Sequence, residues 1–220
     1  MLDISIDVHS NDLRPDALHA AAVLLAQGMR DNPLHLKVFG MDAVRRERRL
    51  QRFLSHLVGY VQSNGMLIGA YAQDELVGVL GMMQPGRCRP TGRDWLHFAS
   101  VLLVSNPPQV VWRSGRWLAV WARNDPPEPH WHLGPMAVRS EFRRQGIARR
   151  LMEHGCRHID SLGDAAFLET DLAINAAFYE SLGFVVVRHK PVLGVPNWFM
   201  RRGPHPDAAD YPLAAGTKGQ

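Results

Sequence analysis

Val138-Arg-Ser-Glu-Phe-Arg-Arg-Gln-Gly-Ile-Ala148 is the stretch on which the fold turns. Before it, His130–Val138 reads as a strand. After it, Gly146 to about Ser161 reads as a helix that carries Leu151 and Met152. A helix N-terminus presents unpaired backbone N–H groups and the positive end of a dipole, and together these hold phosphate oxygens. Gly146 lets the main chain approach an anion closely, and Ala148 is small enough for the same purpose. Arg143, Arg144 and Arg149 add positive charge nearby. Neither G-x-x-x-x-G-K-[ST] nor G-x-G-x-x-G occurs, so a nucleoside triphosphatase loop and a dinucleotide fingerprint are both excluded. Taken alone, the same residues also describe an ordinary strand-to-helix turn with solvated arginines.

Working outward, the second half continues with a strand at Ala165–Thr170 and a helix at Leu172–Leu182 stopped by Gly183. Strands follow at Phe184–His189 and Asn197–Arg202. In the first half, residues 3–8 alternate weakly, and a helix runs from Pro15 until Asn32-Pro33 breaks it. A second helix fits Asp42 to about Gln62, with Asp42 as N-cap and Leu50, Phe53, Leu54, Leu57 and Val61 as its apolar stripe. Asn64-Gly65 marks a turn. Met66–Ala72 and Glu75–Met83 then form a hairpin around Gln73-Asp74. Residues 84–93 read as a loop, and 94–104 stay open between helix and strand. Pro107 opens a helix with Val110, Val111, Trp117, Leu118 and Trp121 on one side, ended by Asn124–Pro129. The order predicts an α/β (α+β) chain: a mixed, mostly antiparallel twisted sheet of six or seven strands flanked by helices.

Composition narrows the function. The chain has 220 residues, 46% of them hydrophobic, enough for one domain with a sizeable core. No apolar run reaches the ~18 residues of a membrane span, and the N-terminus lacks the pattern of a secretory leader. Cys88 and Cys156, 68 positions apart, have no metal-ligand spacing and predict free thiols in a reducing cytoplasm. The net charge is only +4, and lysine supplies three of the 25 basic residues. So modest an excess fits an anionic cofactor better than nucleic acid.

Leu133–Val138, R-x-x-G-x-A at Arg143–Ala148, and Leu151-Met152 resemble the cofactor block of the GNAT superfamily of N-acetyltransferases, [QR]-x-x-G-x-[GA] after the fourth strand. Phe167-Leu-Glu-Thr170 followed by Asn175-Ala-Ala-Phe-Tyr-Glu-Ser-Leu-Gly-Phe184 resembles that family's second block, commonly N-x-x-A-x-x-F-Y-x-x-x-G-F or close to it, with the order here Asn175, Phe178, Tyr179, Gly183, Phe184. Asn197-Trp-Phe-Met200 is similar to the last strand of a bacterial branch of puromycin N-acetyltransferase-like proteins. The resemblance is specific over 130–202 and weak over 1–129. It implies a single GNAT domain at 1–202, with an acceptor-side region 1–129, an acetyl-CoA half 130–202 and a disordered tail at 203–220. It implies that the main chain of Met136, Ala137 and Val138 binds the pantetheine arm. The amides of Gln145, Gly146, Ile147, Ala148 and Arg149 would hold the pyrophosphate, with Asn175 against the arm. Tyr179 would protonate the departing thiolate. Transfer would be direct, to a primary amine of a small molecule. A protein or peptide acceptor, and a non-catalytic acetyl-CoA sensor, are the alternatives.

The general base stays open. His130 and His132 alternate along one strand and share a face. A histidine at the His132 position resembles one of a pair in serotonin N-acetyltransferase, whose second member falls on Gly134 here. Glu169 is the other candidate, with ordered water or a first-half residue behind it. His154 and His158 have i,i+4 spacing but no third ligand, so no metal is expected. Arg45, Arg46, Arg48, Arg49 and Arg52 read as the solvated face of an amphipathic helix. Trp117 and Trp121, with Trp112 near them, read as core or as a lid over an acceptor pocket. Oligomeric state is read as monomer or homodimer.

Overall fold

Trp131–Val138 (β4) buries Trp131, Leu133, Ala137 and Val138, while His132, Gly134 and Met136 between them are only half-buried. In the computed structural model, which describes residues 6–10, 15–88, 92, 99–100, 102–103 and 106–204, β4 is the middle of seven strands. The others are β1 (Ile6–Ser10), β2 (Gly65–Ala72), β3 (Glu75–Met83), β5 (Ala166–Thr170), β6 (Val185–His189) and β7 (Trp198–Arg202). Their order is β1-β2-β3-β4-β5-β7-β6. All pairs are antiparallel except β4 with β5. This is the mixed, mostly antiparallel sheet the sequence predicts.

Alternation sends neighbouring residues to opposite faces. Leu67, Val79, Phe167 and Phe199 join one core, with α1 (Pro15–Met29), α2 (Pro33–Phe39), α3 (Ala43–Asn64) and α4 (Pro108–Asn124) above it. Ile68, Leu80, Leu168 and Met200 join the other, under α5 (Ile147–Ser161) and α6 (Ala173–Glu180). On α5, Ile147, Leu151, Met152, Cys156 and Ile159 supply the buried face at helical spacing.

Three expectations need correcting. Asn32-Pro33 ends one helix but starts another, since Pro33 sits at the first position of α2, where its missing N–H is no loss. The free amide of Leu34 donates to Asp171 Oδ2 at 2.7 Å, so a carboxylate from 137 residues away caps that helix. Asn64-Gly65 makes no separate turn, because β2 begins at Gly65 directly where α3 ends. The arginine cluster is not uniformly solvated. Arg46 is buried and donates to the carbonyls of Arg30, Gly40 and Met41 and to Asp31 Oδ1, while Arg49 donates to Phe39 O. Those two arginines close the α2–α3 corner; Arg45, Arg48 and Arg52 do face outward. Asp42 caps α3 as expected, accepting from Arg45 N at 2.9 Å. Most of 94–104, and the tail from 205 onward, lie outside the described residues.

Candidate active site

β4 and β5 pair only at Trp131–Ala166 and His132–Phe167 and then diverge. The cause is visible on β4. Between the pairs Leu80–Met136 and Met82–Leu133, two residues of β4, Gly134 and Pro135, oppose the single Gly81 of β3. Gly81 has no substitute there: a Cβ would stand 2.9 Å from Gly134 O and 3.2 Å from Pro135 Cδ. Beyond the bulge the register is Leu80–Met136, Val79–Ala137, Gly78–Val138, and Arg139 N donates to Val77 O. In an antiparallel ladder, bonded and non-bonded pairs alternate. Ala137 therefore bonds to Val79, while the N–H and C=O groups of Met136 and Val138 face away from β3 into the gap. The gap is thus edged by peptide groups that an extended amide-bearing chain would satisfy.

β4 leads through Ser140–Phe142 into the turn at the start of α5. Gly146 is left-handed at φ +79°, a conformation that favours glycine, and Arg144 also has positive φ at +61°. The first intrahelical bond is Arg150 N to Gly146 O, so the amides of Ile147, Ala148 and Arg149 have no partner within the helix. The predicted cationic side chains divide. Arg144 is exposed beside the turn. Arg143 donates to Val138 O and Gly28 O, tying the end of β4 to α1. Arg149 donates to Ser181 Oγ and lies over the Phe178 ring, tying α5 to α6. Gln145 donates to Glu141 O. What the turn offers an anion is therefore backbone N–H groups more than a cluster of guanidinium groups.

Beside the gap lies a cavity of about 470 Å³. His132, Glu169, Tyr179, Asn175 and Met136 all line it, so three elements, β4, β5 and α6, bring the predicted residues together. Its wall towards α2, α3 and α4 is apolar, with Phe53, Tyr60, Trp117 and Trp121 among the lining. Trp112 is 60% exposed and takes no part. Tyr179 is buried, and burial pushes its phenol up to about 12, so it keeps its proton across the physiological range. Burial likewise pushes the Cys156 thiol up to about 11, and it sits in the core beneath α5, away from the cavity.

His132 Nε2 lies 3.1 Å from Glu169 Oε2, and Glu169 is almost wholly buried. On the ring's other side, Nδ1 is 3.5 Å from Asp125 Oδ1. His130 Nε2 reaches the same oxygen at 3.1 Å, while its Nδ1 donates to Glu128 O at 2.7 Å. Burial works against charge on both rings, but the carboxylates of Glu169 and Asp125 outweigh it for His132, and Asp125 with Cys88 and Glu128 O for His130; each stands at about 10. Burial likewise opposes the ionised form of Asp125, yet the two histidines hold its carboxyl well below the usual range. His130 does not line the cavity. Asp125 and Cys88 do, and the sequence reading missed both. Asp125 looked like a helix end before a proline pair, and only its place five residues ahead of a buried histidine hinted at more.

Residues 37–184 match the family model described as Acetyltransferase (GNAT) family. A structure titled histone acetyltransferase HPA2 and related acetyltransferase, from Corynebacterium glutamicum, superposes with TM-score 0.70 at 20% identity, over 92% of this chain and 98% of that one. The PaiA N-acetyltransferase of Thermoplasma acidophilum, solved with coenzyme A, gives 0.56 at 12%, over 91% and 99%. The ribosomal-protein-S18-alanine N-acetyltransferase of Escherichia coli gives 0.53 at 15%, over 90% and 94%.

Proposed function

The chain belongs to the Acetyltransferase (GNAT) family, and on that premise we propose that it moves the acetyl group of acetyl-CoA directly onto a primary amine of a small molecule. The observation that supports this best is the junction of gap and cavity: Met136, whose amide faces the gap, also lines the cavity that holds Glu169, His132 and Tyr179.

In this reading the pantetheine arm lies in the gap and bonds to Met136 and Val138 as an added strand would, with Asn175 beside it. The amides of Gln145 to Arg149 hold the pyrophosphate. The Met136 amide donates to the thioester oxygen as it becomes an oxyanion. The amine enters from the apolar side, where an ammonium of ordinary pKa ~10.4 loses hydration and gives up its proton more readily. Glu169, held by His132, receives the amine proton. Attack itself makes the nitrogen's remaining N–H acidic, so a carboxylate suffices for the second half of that step. The C–N bond forms and the C–S bond breaks. The thiolate takes the Tyr179 proton, and Tyr179 is recharged from the solvent-linked cavity. Cys156 is buried and high in pKa, which makes it a poor nucleophile and fits a direct transfer.

The deciding experiment is release of free CoA from acetyl-CoA across a panel of aminoglycosides, polyamines, amino-nucleosides, aryl amines and peptides. Turnover well above hydrolysis with a small amine supports the proposal. Turnover with peptides alone replaces it with a protein-modifying enzyme. Binding of acetyl-CoA without turnover on any amine replaces it with a sensor. Among the described residues no helix is long and apolar enough to cross a membrane.

A further inference from the structure

The cluster around Asp125 has a problem of charge that hydrogen bonding alone does not resolve. A carbonyl oxygen only accepts, so the 2.7 Å contact of His130 Nδ1 with Glu128 O fixes a proton on Nδ1. In the same way a carboxylate accepts, so His132 carries a proton on Nε2, facing Glu169. In the neutral tautomers thus fixed, the remaining nitrogens, His130 Nε2 and His132 Nδ1, both aim lone pairs at one oxygen, Asp125 Oδ1, at 3.1 and 3.5 Å. His132 Nδ1 is buried and makes no hydrogen bond of acceptable geometry. Donor atoms of Cys88, His130 and His132 lie within 4.8 Å of one another. Two ring lone pairs and a carboxylate oxygen, with a half-buried thiol beside them, call for a cation among them: extra protons on both rings, or a metal ion in their place.

We propose that Cys88, His130 and His132 form a site for a borderline divalent cation, zinc foremost, with the Asp125 carboxylate beside both imidazoles to complete it. Sulfur, two imidazoles and a carboxylate are the ligand types zinc takes, whereas calcium and magnesium would be poorly served by sulfur and nitrogen. Tetrahedral zinc with bonds of about 2.0–2.1 Å to nitrogen and oxygen sets those donors about 3.3 Å apart, between the two separations seen. The outer contacts are those of a metal site too. Each histidine donates its far N–H to a carbonyl or a carboxylate, which fixes the tautomer and orients the ring. Binding would displace protons held by the rings and the Cys88 thiol, so zinc and protons compete for this cluster. An ion here would join the loop after β3, the C-terminal cap of α4 and the start of β4. It would leave His132 Nε2–H on Glu169, so the proposal stands whether or not the chain is an acetyltransferase.

The test uses the full chain, stripped with a chelator and kept reduced. Zinc titration by calorimetry should give one site per chain. Cobalt should give a thiolate-to-metal charge-transfer band that Cys88→Ser removes and Cys156→Ser keeps. Zinc should shield Cys88 from alkylation. His130→Asn, which removes a ligand outside the cavity lining, should weaken zinc by at least about tenfold, since even a lost outer partner commonly costs about 10–100-fold. Acetyl-CoA-dependent stabilisation serves as the check on folding. Wild type that binds acetyl-CoA yet retains no stoichiometric zinc overturns the site. So does zinc binding that is indifferent to both Cys88→Ser and His130→Asn.

Discussion

Tyr179 is the residue on which the chemistry can be tested most directly. Tyr179→Phe removes one oxygen from a packed position between Phe178 and Phe184 and leaves the ring in place. kcat should fall about 10²-fold, in the range of general acid catalysis, while acetyl-CoA still binds; calorimetry beside steady-state rates separates the two. Glu169→Gln keeps the shape of the His132 partner but cannot take a proton, and the same rate assay should show a comparable loss. The pH dependence of stability offers an independent check on Tyr179's burial. Its pKa when folded is about 12, above the ordinary 10, so the folded state favours the neutral phenol. That contribution is complete below pH 10 and is lost as pH rises through 12, at about 1.4 kcal/mol per unit. Melting curves from pH 9 to 12 should therefore fall more steeply for wild type than for Tyr179→Phe. The place of Tyr179 and Glu169 on one cavity was legible because both sit in the second block of the resemblance, and that of His132 because it alternates with His130 along a predicted strand. Asp125 and Cys88 were not, because their meaning depends on a contact across 42 residues of chain between Cys88 and His130.

At the scale of elements, the sequence carried most of what periodicity can carry. The amphipathic faces of α3 and α5 and the β2–β3 hairpin all match their apolar spacing. What it hid was α2, because a proline after an asparagine reads as a stop. Only the buried set Leu34, His35, Val38 and Phe39, packed against α4, turns it into a start. The gap was hidden for a different reason. Nothing local in Gly134-Pro135 says that a bulge will release one strand from its neighbour. The close approach at Gly81 is what holds that bulge in register. Gly81→Val should move main chain at Gly134 and destabilise the fold, read as a lower Tm with acetyl-CoA binding weakened in parallel. Gly146→Ala has room for its methyl but must hold φ at +79°. It should lose about 1–2 kcal/mol for the left-handed conformation, or else relax the turn and raise the KM for acetyl-CoA.

For the whole molecule, the proposed place of acetyl-CoA in the gap between β4 and β5 would make the cofactor a structural component of the sheet. Saturating acetyl-CoA at about 100 times its Kd should stabilise the chain by about 2.7 kcal/mol, seen as a rise in Tm. Hydrogen exchange should slow most at the Met136 and Val138 amides, and little at Ala137, whose ladder partner on β3 is already present. No Tm shift at millimolar acetyl-CoA would remove the cofactor assignment. The turn at the head of α5 has one further consequence. Its amides and the gap below it meet the pyrophosphate and the arm, which acetyl-CoA and free CoA have in common; the two-carbon group adds little to hold by. Spent CoA should then compete on nearly equal terms. The rate inside a cell would follow the ratio of charged to discharged carrier, so the amine is modified when acetyl units are plentiful and spared when they run short.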